Sequence, residues 1–349
     1  MKSPSSKLHL TGKRTTIDAS YSIKIITDTF VRLGCSRSVS LEVAEHLTDA
    51  SLCGMESHGI MRTIQYAEQM NSGYIKPKAK TKVFIDSKGV KRVSGGGGIG
   101  IPTMKIAYSA GLQDAKKYGI SVLSIRNVGH TGRHGAFADE AAEKGFLTIC
   151  LGGGNRKIWR QVAPYGGAEP MLPTNPWCIG IPGGSLGPII LDFATSKIAG
   201  GWIYAARSAK ALLPKNSVID KHGKLTRNPE DYFDGGAILP AGAQKGYGLA
   251  LMGEIIAEAM LGPSTTEANW LLISLDVSRF REKTKMHQAA EEVLSEIRNC
   301  RPSKGFDQVE IPGERERNHR QVSNGKIAVP KETWVQIMDL HNSLNAQRL

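Results

Sequence analysis

Short β-rich segments alternate with longer amphipathic segments between residues 82 and 151, and this alternation restricts the possible fold more than any other feature. Strands that follow helices in this way predict a sheet with helices packed on it, so we expect an α/β fold. The strand-like segments are 82–85, 90–93, 120–125 and 146–151, and the helix-like segments are 101–118 and 135–144.

Helical patterns occupy both ends of the chain. Residues 17–75 have the spacing of three helices, and residues 331–344 have that of a closing helix. A chain of 349 residues allows roughly two domains. We therefore expect a helical N-terminal region, 1–78, packed with the C-terminal helix of 315–349, and an α/β domain, 79–314.

Two segments of the second half also carry expectations. Residues 246–260 are nearly all apolar, which is typical of a helix in the core, whereas residues 310–325 are polar and expected to be irregular.

The net charge of +13 leaves three interpretations open: nucleic-acid binding, steering of small anions, and an ordinary solvated surface. The basic residues are spread along the chain, and the densest cluster, 315–320, is interrupted by an acid. Aromatic residues, at 6%, do not interleave with it, so we expect no nucleic-acid partner.

Neither a membrane nor an export pathway is indicated. The chain has no run of about 18 apolar residues, and residues 1–16 lack the apolar stretch of a signal peptide. Its five cysteines are widely spaced, with no CxxC pair, so we expect reduced thiols, no zinc site and a cytoplasmic protein.

The glycine run at 95–98, continued by Ile99 and Gly100, satisfies the pattern GxGxxG and opens a predicted helix. A dinucleotide fingerprint also needs a buried strand before it and an acidic residue at the end of a second strand. Residues 91–94 are polar, and Asp114 falls within the predicted helix. We therefore favour a glycine-rich turn over a Rossmann fingerprint.

His58, Arg62 and Tyr66 are spaced i, i+4 and i+8 behind Ser57, in a helix predicted from about 57 to 70. The three side chains would then share one face. An imidazole can exchange a proton near neutral pH, and a guanidinium can bind a carboxylate through two hydrogen bonds. A site for a 2-oxo or 2-hydroxy acid requires both functions. The alternative is the exposed polar face of an ordinary helix.

Residues 129–135 form a glycine-flanked loop between a predicted strand and a helix, a place where α/β proteins commonly bind ligands. His130, Arg133 and His134 could meet an anion and move a proton there. The two histidines are also spaced like a zinc pair, but no third ligand has supporting spacing. A plain turn is the third possibility.

Three weaker motifs follow. Thr174-Asn175-Pro176 is a turn signal, residues 191–196 are a strand ending in small polar groups, and Gln244-Lys245 precede the apolar helix. A lysine beside a helix N-terminus can hold a phosphate, although it is more often simply solvated.

Taken in order, these motifs resemble the malate/L-lactate dehydrogenase family of the second type, which is unrelated to the classical Rossmann lactate and malate dehydrogenases. The resemblance covers about 57–314 and looks closest to the hydroxycarboxylate dehydrogenase branch. The matching strings are Ser57-His58-Gly59 with Arg62 and Tyr66, the loop 129–135, 162–164 leading into 174–176, 191–196, 245–247 and 311–314.

The resemblance implies NAD(P)H-dependent reduction of a small anionic 2-oxo acid such as a keto form of malate, lactate or sulfolactate, or the reverse oxidation. Reduction of cyclic imino acids is the alternative activity. It further implies a family-specific mixed-sheet fold, not a classical Rossmann fold, and a homodimer. The cofactor would be NAD, with NADP possible, and no metal is implied.

Site roles follow by resemblance only. His130 matches the general acid/base, with His58 as the alternative proton carrier. The substrate side would comprise Ser57, His58, Arg62, Tyr66, Thr174 and Asn175. Cofactor contacts would come from His58, Gly132, Arg133, His134, Asp192, Phe193, Ala194, Thr195, Ser196, Gln244, Lys245, Asn269, Gly313, Glu314, Arg315 and Glu316. The chain departs from the family at 152–154, where three glycines stand in place of polar residues.

Overall fold

The computed structural model describes residues 13–208 and 210–346 and has a seven-stranded mixed sheet at its centre. The strands are β1 (Arg14–Asp18), β2 (Lys82–Ile85), β3 (Lys91–Gly98), β4 (Ile120–Val128), β5 (Phe146–Gly153), β6 (Trp177–Gly184), β7 (Gly187–Phe193), β8 (Val218–Ile219), β9 (Leu225–Thr226), β10 (Ala237–Ile238), β11 (Ala268–Asp276) and β12 (Lys326–Pro330).

The helices pack on the faces and ends of this sheet. They are α1 (Ala19–Arg32), α2 (Arg37–Leu52), α3 (Arg62–Asn71), α4 (Gly100–Tyr118), α5 (His134–Glu143), α6 (Gly200–Ser208), α7 (Pro229–Phe233), α8 (Gln244–Glu254), α9 (Lys283–Arg298), α10 (Glu314–Ser323) and α11 (Lys331–Ala346). Short 3-10 turns lie at Glu56–His58 and Val277–Arg279, and a π-helical turn, Ile255–Met260, continues α8.

The strand order in the central sheet is β2-β3-β4-β11-β5-β6-β7. Only β3 and β4 run parallel, joined by α4, and the other neighbouring pairs are antiparallel. This confirms the expected α/β fold with a mixed sheet. Two small sheets, β1-β12 and β10-β8-β9, lie outside it.

One large hydrophobic core joins the sheet to the terminal helices. Phe30 and Leu47 of the N-terminal helices, Leu123 of β4 and Ile337 of α11 are all fully buried in the same cluster. Thr29 of α1 also contacts His341 of α11, with Oγ1 3.2 Å from Nδ1. Helices α1 and α11 are therefore packed together, while the boundaries 1–78 and 79–314 stay a prediction.

The glycine run that satisfied GxGxxG closes β3 and lets it pack tightly against the loop at 129–133. Gly98 accepts a hydrogen bond from the Gly129 N–H at 2.8 Å, and the Gly100 N–H donates to the His130 carbonyl at 3.0 Å. A Cβ on Gly100 would lie 2.4 Å from the Gly129 oxygen, so only glycine fits. The glycine run therefore holds the loop that carries His130 against the end of β3.

Three expectations about elements were wrong. Residues 314–323 form a helix, α10, and the residue before it, Gly313, has the left-handed conformation at φ 96°. Strand β1 precedes the first helix and pairs with β12. The apolar segment 246–260 is not wholly in the core, because one helix face stays exposed: Met252 is 54% exposed and Ile255 52%.

None of the helices in the described ranges combines the length and apolarity needed to cross a membrane.

Candidate active site

Residues some seventy positions apart in the sequence converge around His130. The Tyr66 hydroxyl on α3 lies 2.6 Å from His130 Nδ1, and the His58 and His130 ring centroids are 5.4 Å apart. Arg62 is close enough to help lower the pKa of His130. The two sequence motifs therefore form one site.

The hydrogen bonds around His130 define its tautomer. The Gly132 backbone N–H can only donate, and it lies 3.2 Å from His130 Nδ1. Burial raises the pKa of Tyr66, so its hydroxyl keeps its proton and donates to the same nitrogen. Since Nδ1 accepts both bonds, the proton of the neutral ring resides on Nε2, the nitrogen left for a substrate.

The charge state of His130 follows from its surroundings. Burial lowers its pKa well below the usual value, and the positive charge of Arg62 lowers it further. In the ligand-free protein His130 is therefore neutral. A substrate carboxylate on Arg62 would offset that positive charge and raise the pKa of His130.

Arg62 is the first residue of α3, and His58 lies in the preceding 3-10 turn. The expected single helix from 57 to 70 was therefore wrong, because the backbone at Gly59 is extended and interrupts it. The Arg62 Nε–H donates to the Ser57 carbonyl at 2.6 Å, and its guanidinium also bonds Gln65. Ser57 Oγ lies 3.0 Å from His58 Nδ1.

Sequence reasoning missed the residues that hold the histidine loop. His46 Nε2, on α2, accepts the Arg133 backbone N–H at 2.9 Å, and its ring stacks on Phe137. Gly132, at φ 72°, makes room for it, since a Cβ there would lie 2.3 Å from His46 Nε2. No spacing in the sequence signals this contact, because it joins separate elements.

The His134 side chain is buried and contacts other side chains of the protein. It is 5% exposed, its Nε2 lies 2.8 Å from Thr131 Oγ1, and its ring packs 4.1 Å from that of Trp270. Burial lowers its pKa to about 3. The Trp270 ring also leaves no room for a side chain at position 152, because a Cβ on Gly152 would lie 2.1 Å from it.

A cleft of about 260 Å³ opens beside the loop and brings three predicted cofactor segments together. It is lined by Arg133, Asp192, Gly313, Arg315, Glu316 and neighbouring residues. Within the described part of the chain, no acceptor lies within hydrogen-bond distance of the buried Arg133 Nε–H, and a phosphate oxygen could accept from it. The Arg133 N–H suits a phosphate group, and the carboxylates of Asp192 and Glu316 suit ribose hydroxyls. The lining of the cleft therefore fits a nucleotide.

Asp192 joins this cleft to the histidine loop. Its Oδ2 accepts the Gly135 backbone N–H at 2.6 Å, at the first turn of α5, where the helix dipole favours an anion. Burial raises the pKa of Asp192, while this hydrogen bond and Arg133 lower it.

Several predicted contact residues use their side chains within the protein. Asn175 and Asn269 are fully buried and donate to main-chain carbonyls, at 2.8 Å to Ala250 and 2.6 Å to Gly262. Glu314 pairs with Arg298 at 2.7 Å. These side chains therefore stabilise the segments around the site.

Side chains in the segment after β7 also form hydrogen bonds within the protein. Thr195 donates to the Thr174 carbonyl at 2.8 Å, and Ser196 Oγ donates to Ile198 at 2.9 Å. Phe193 and Ala194 lie at the end of β7, half-buried. Gln244 and Lys245 are exposed at the start of α8.

Glu267 is a second residue that sequence reasoning missed. It directly precedes β11, and its backbone N–H donates to the Val128 carbonyl at 3.3 Å, two residues before His130. Burial raises the pKa of Glu267 to about 7, and Arg62 lowers it. No motif or spacing in the sequence around position 267 signalled it.

The imidazole of His130, the nearby guanidinium of Arg62 and a polar cleft at Arg133 in the same loop are groups that a nucleotide-dependent dehydrogenase of small acids requires. The family model described as malate/L-lactate dehydrogenase matches residues 17–338. The chain therefore belongs to the malate/L-lactate dehydrogenase family, as its motifs indicated.

Individual relatives agree with this placement. L-sulfolactate dehydrogenase of Methanocaldococcus jannaschii is 31% identical over 333 residues, which are 92% of this chain and 95% of the relative. Its solved structure has a TM-score of 0.83 at 30% identity and covers 95% of this chain and 98% of that chain. The Δ(1)-pyrroline-2-carboxylate/Δ(1)-piperideine-2-carboxylate reductase of Pseudomonas putida is 32% identical over 233 residues, 67% of each chain.

Membership confirms the enzyme class predicted from the sequence. The protein is an oxidoreductase of the 2-hydroxy acid dehydrogenase type, which transfers a hydride between a nicotinamide cofactor and a small 2-oxo or 2-hydroxy acid.

Proposed function

We propose that this enzyme reduces C2 of a small 2-oxo acid with NADH, or oxidises the matching 2-hydroxy acid, with His130 as the general acid and base. The observation that carries the proposal is the convergence of His130, Tyr66 and Arg62, in which His130 Nδ1 is held at 2.6 Å by Tyr66 and Nε2 is left for substrate.

Arg62 is proposed to bind the substrate carboxylate. Its guanidinium is half-buried at the start of α3, beside Ser57 and near His130. A planar fork binds a carboxylate through two parallel hydrogen bonds, which fixes the direction of C2. Ser57 and His58 then orient the C2 oxygen.

His130 supplies the proton at that oxygen. The bound carboxylate neutralises Arg62 and raises the pKa of His130, so the imidazolium forms where it is needed. Tyr66 Oη can donate to the neutral ring and accept from Nδ1–H of the imidazolium, so the ring stays oriented in both states. Tyr66 is 0% exposed, so we place it behind His130 as a positioning residue and not against the substrate.

When bound, a nicotinamide cofactor accepts or supplies the hydride. Arg133, Asp192 and Glu316 would hold its ribose and phosphate groups in the cleft. We propose NAD as the preferred form, because the arginines of the cleft are paired with acids: Arg133 and Arg320 with Asp49, Arg317 with Asp139, and Arg315 with Glu316. Paired cations leave little charge for a 2′-phosphate, whereas carboxylates suit ribose hydroxyls.

A panel of 2-oxo acids and cyclic imines, each assayed with NADH and with NADPH, tests the activity. The His130→Ala variant should lower kcat about 10²- to 10⁴-fold and leave the change of NADH fluorescence on binding nearly intact. Near-normal turnover in that variant would remove His130 from the role. Absence of turnover with the whole panel would refute the activity itself.

The reductase of cyclic imino acids is the second candidate. One relative is named as a Δ(1)-pyrroline-2-carboxylate/Δ(1)-piperideine-2-carboxylate reductase, at 32% identity. The same Arg62 and His130 could hold the carboxylate and protonate the product nitrogen. Faster reduction of the imines than of any 2-oxo acid in the panel would select it.

We also propose a homodimer in the cytoplasm. Leu251, Met252, Ile255 and Met260 expose 39–60% of their surface along one face of α8 and its π-helical turn, which suits contact with a second copy. Light scattering should give a dimer that Ile255→Lys dissociates, whereas Val322→Lys, at an exposed apolar residue on α10, should leave it unchanged.

A further inference from the structure

Two histidines from different elements accept consecutive backbone N–H groups of the same loop. The Gly132 N–H lies 3.2 Å from His130 Nδ1, and the next N–H along the chain, that of Arg133, donates to His46 Nε2 at 2.9 Å. Only the backbone of Gly132 therefore separates the hydrogen bond of the catalytic imidazole from that of His46, a residue with no part in the proton transfer proposed above.

The backbone of Gly132 sets the angle between these two N–H groups, because peptide units are planar and only φ and ψ of the residue between them rotate. Its φ of 72° is in the left-handed region, and a Cβ there would lie 2.3 Å from His46 Nε2, so the position requires glycine. Glycine also has the freest backbone, so these angles depend on what holds the neighbouring groups. A contact that fixes the Arg133 N–H therefore helps to direct the Gly132 N–H.

The imidazole of His46 is held in place and stays neutral. Its ring stacks on Phe137 of α5, with 4.9 Å between the ring centroids and 24° between the planes. Burial lowers the pKa of His46 to about 3, and the positive charge of Arg133 lowers it further. Because Nε2 accepts the Arg133 N–H, the proton of the neutral ring resides on Nδ1.

Helix α2 holds Arg133 at a second point. Asp49, three residues after His46, accepts a hydrogen bond from the Arg133 guanidinium at 3.1 Å. This contact remains when the imidazole is replaced, so the guanidinium stays in the cleft. The Arg133 N–H, in contrast, loses its acceptor, and the residue is only 6% exposed, so water has little access to that N–H.

We propose that His46 is a positioning residue for proton transfer, which keeps the Gly132 N–H against His130 Nδ1 by accepting the Arg133 N–H. The bond from Gly132 exists only while Nδ1 of His130 carries no proton, so it favours the neutral ring over the imidazolium. This inference rests on the proposed function, because it takes His130 to be the proton carrier.

Charged and titratable groups from several elements face the two histidines, and the variants used below leave all of them in place. They are Arg62 and Tyr66 of α3, His58 of the preceding turn, His134 and Arg133 of the loop and α5, Asp49 of α2, Lys105 of α4, and Glu267, which acts on Arg62 and Tyr66. Since His46 is neutral, an uncharged replacement removes no charge from this set. A change in the pKa of His130 then reports a changed hydrogen bond.

Two variants of His46 separate the hydrogen bond from the space that the ring fills. His46→Phe keeps a flat ring against Phe137 but has no acceptor, whereas His46→Gln offers an amide oxygen to the Arg133 N–H. With the fastest 2-oxo acid of the panel above, His46→Phe should lower kcat on its acid plateau about tenfold, the population change that one buried hydrogen bond supports. The pH above which kcat falls should rise by about half to one unit, because the neutral His130 ring loses its bond from Gly132.

His46→Gln should return both quantities close to the wild-type values. The dissociation constant of NADH, from its fluorescence, should stay within about threefold in both variants, because Asp49 still holds the Arg133 guanidinium. His341→Phe is the matched control, since it replaces another buried histidine, on α11, whose Nδ1 lies 3.2 Å from Thr29 Oγ1. It should leave kcat and its pH dependence unchanged.

An unchanged plateau and pH dependence in folded His46→Phe would overturn the inference, as would an equal change in His341→Phe. The same kinetics in His46→Gln as in His46→Phe would assign the effect to packing and also overturn it. Should His46→Phe not fold, ¹⁵N NMR of the histidine-labelled wild type decides. The ring of His46 must then be neutral with its proton on Nδ1, and a proton on Nε2 contradicts the inference.

The kinetics of His130→Ala distinguish the two levels of the argument. Normal turnover in that variant refutes the proposed role of His130 and this inference with it. Lost turnover in His130→Ala, together with wild-type kinetics in His46→Phe, refutes this inference alone.

Discussion

Replacing Tyr66 by Phe tests whether this tyrosine acts through His130. The hydroxyl lies 2.6 Å from His130 Nδ1 and is fully buried, so no water can replace it. The neutral ring keeps the Gly132 N–H at 3.2 Å, but the imidazolium loses its acceptor at Nδ1. The variant therefore disfavours the protonated form.

The magnitude follows from the two hydrogen bonds. A bond to a charged ring contributes about 1.5–3 kcal/mol and one between neutral groups about 1 kcal/mol, so the difference is about 1.4 kcal/mol. That difference lowers the pKa of His130 by about one unit. Since reduction uses the protonated ring, the pH above which kcat falls should move down by about one unit, and kcat at neutral pH should fall about three- to tenfold.

Steady-state kinetics across a pH series measures both quantities. KM for the 2-oxo acid should stay within about twofold, because Tyr66 is placed behind the imidazole. Tyr108→Phe is the matched control, since it removes the hydroxyl of another buried tyrosine whose ring packs on Phe137 and not on His130. A raised KM with an unshifted pH profile would refute the reasoning and return Tyr66 to the substrate side, as the sequence resemblance implied.

Three further variants probe the neighbouring parts of the site. Arg62→Lys should raise KM for the 2-oxo acid about 10- to 100-fold with kcat little changed, because an ammonium lacks the planar fork; an unchanged KM in the same assay would contradict the carboxylate assignment. Asp192→Ala removes the 2.6 Å bond to Gly135 at the start of α5 and should lower the free energy of unfolding in urea by about 1–2 kcal/mol, and an unshifted urea midpoint would show that this bond is not stabilising. Ala243, ahead of α8, has φ 55° and ψ −121°, so Ala243→Gly should raise the free energy of unfolding by about 1 kcal/mol, whereas a loss of stability would mean that the backbone is not strained there.

Much of the framework could be predicted from local patterns. Strands β4 and β5 and helices α4, α5 and α11 lie where hydrophobic periodicity placed them, since that periodicity depends on neighbours in sequence. Helix α10 was missed because it is almost wholly polar, with the sequence ERERNHRQVS, and is held by ion pairs with distant residues. Strand β1 was missed because its partner β12 lies at the other end of the chain.

The motifs themselves determined which chemical groups the protein brings to its site: an imidazole at His130, a guanidinium at Arg62 and a loop flanked by glycines. Their order along the chain also determined the family. Only the tertiary structure decided what those groups touch. It brought the Tyr66 hydroxyl to His130, His46 to the backbone of the loop and Glu267 within electrostatic range of Arg62, because burial and hydrogen-bond partners depend on segments that meet only in the folded chain.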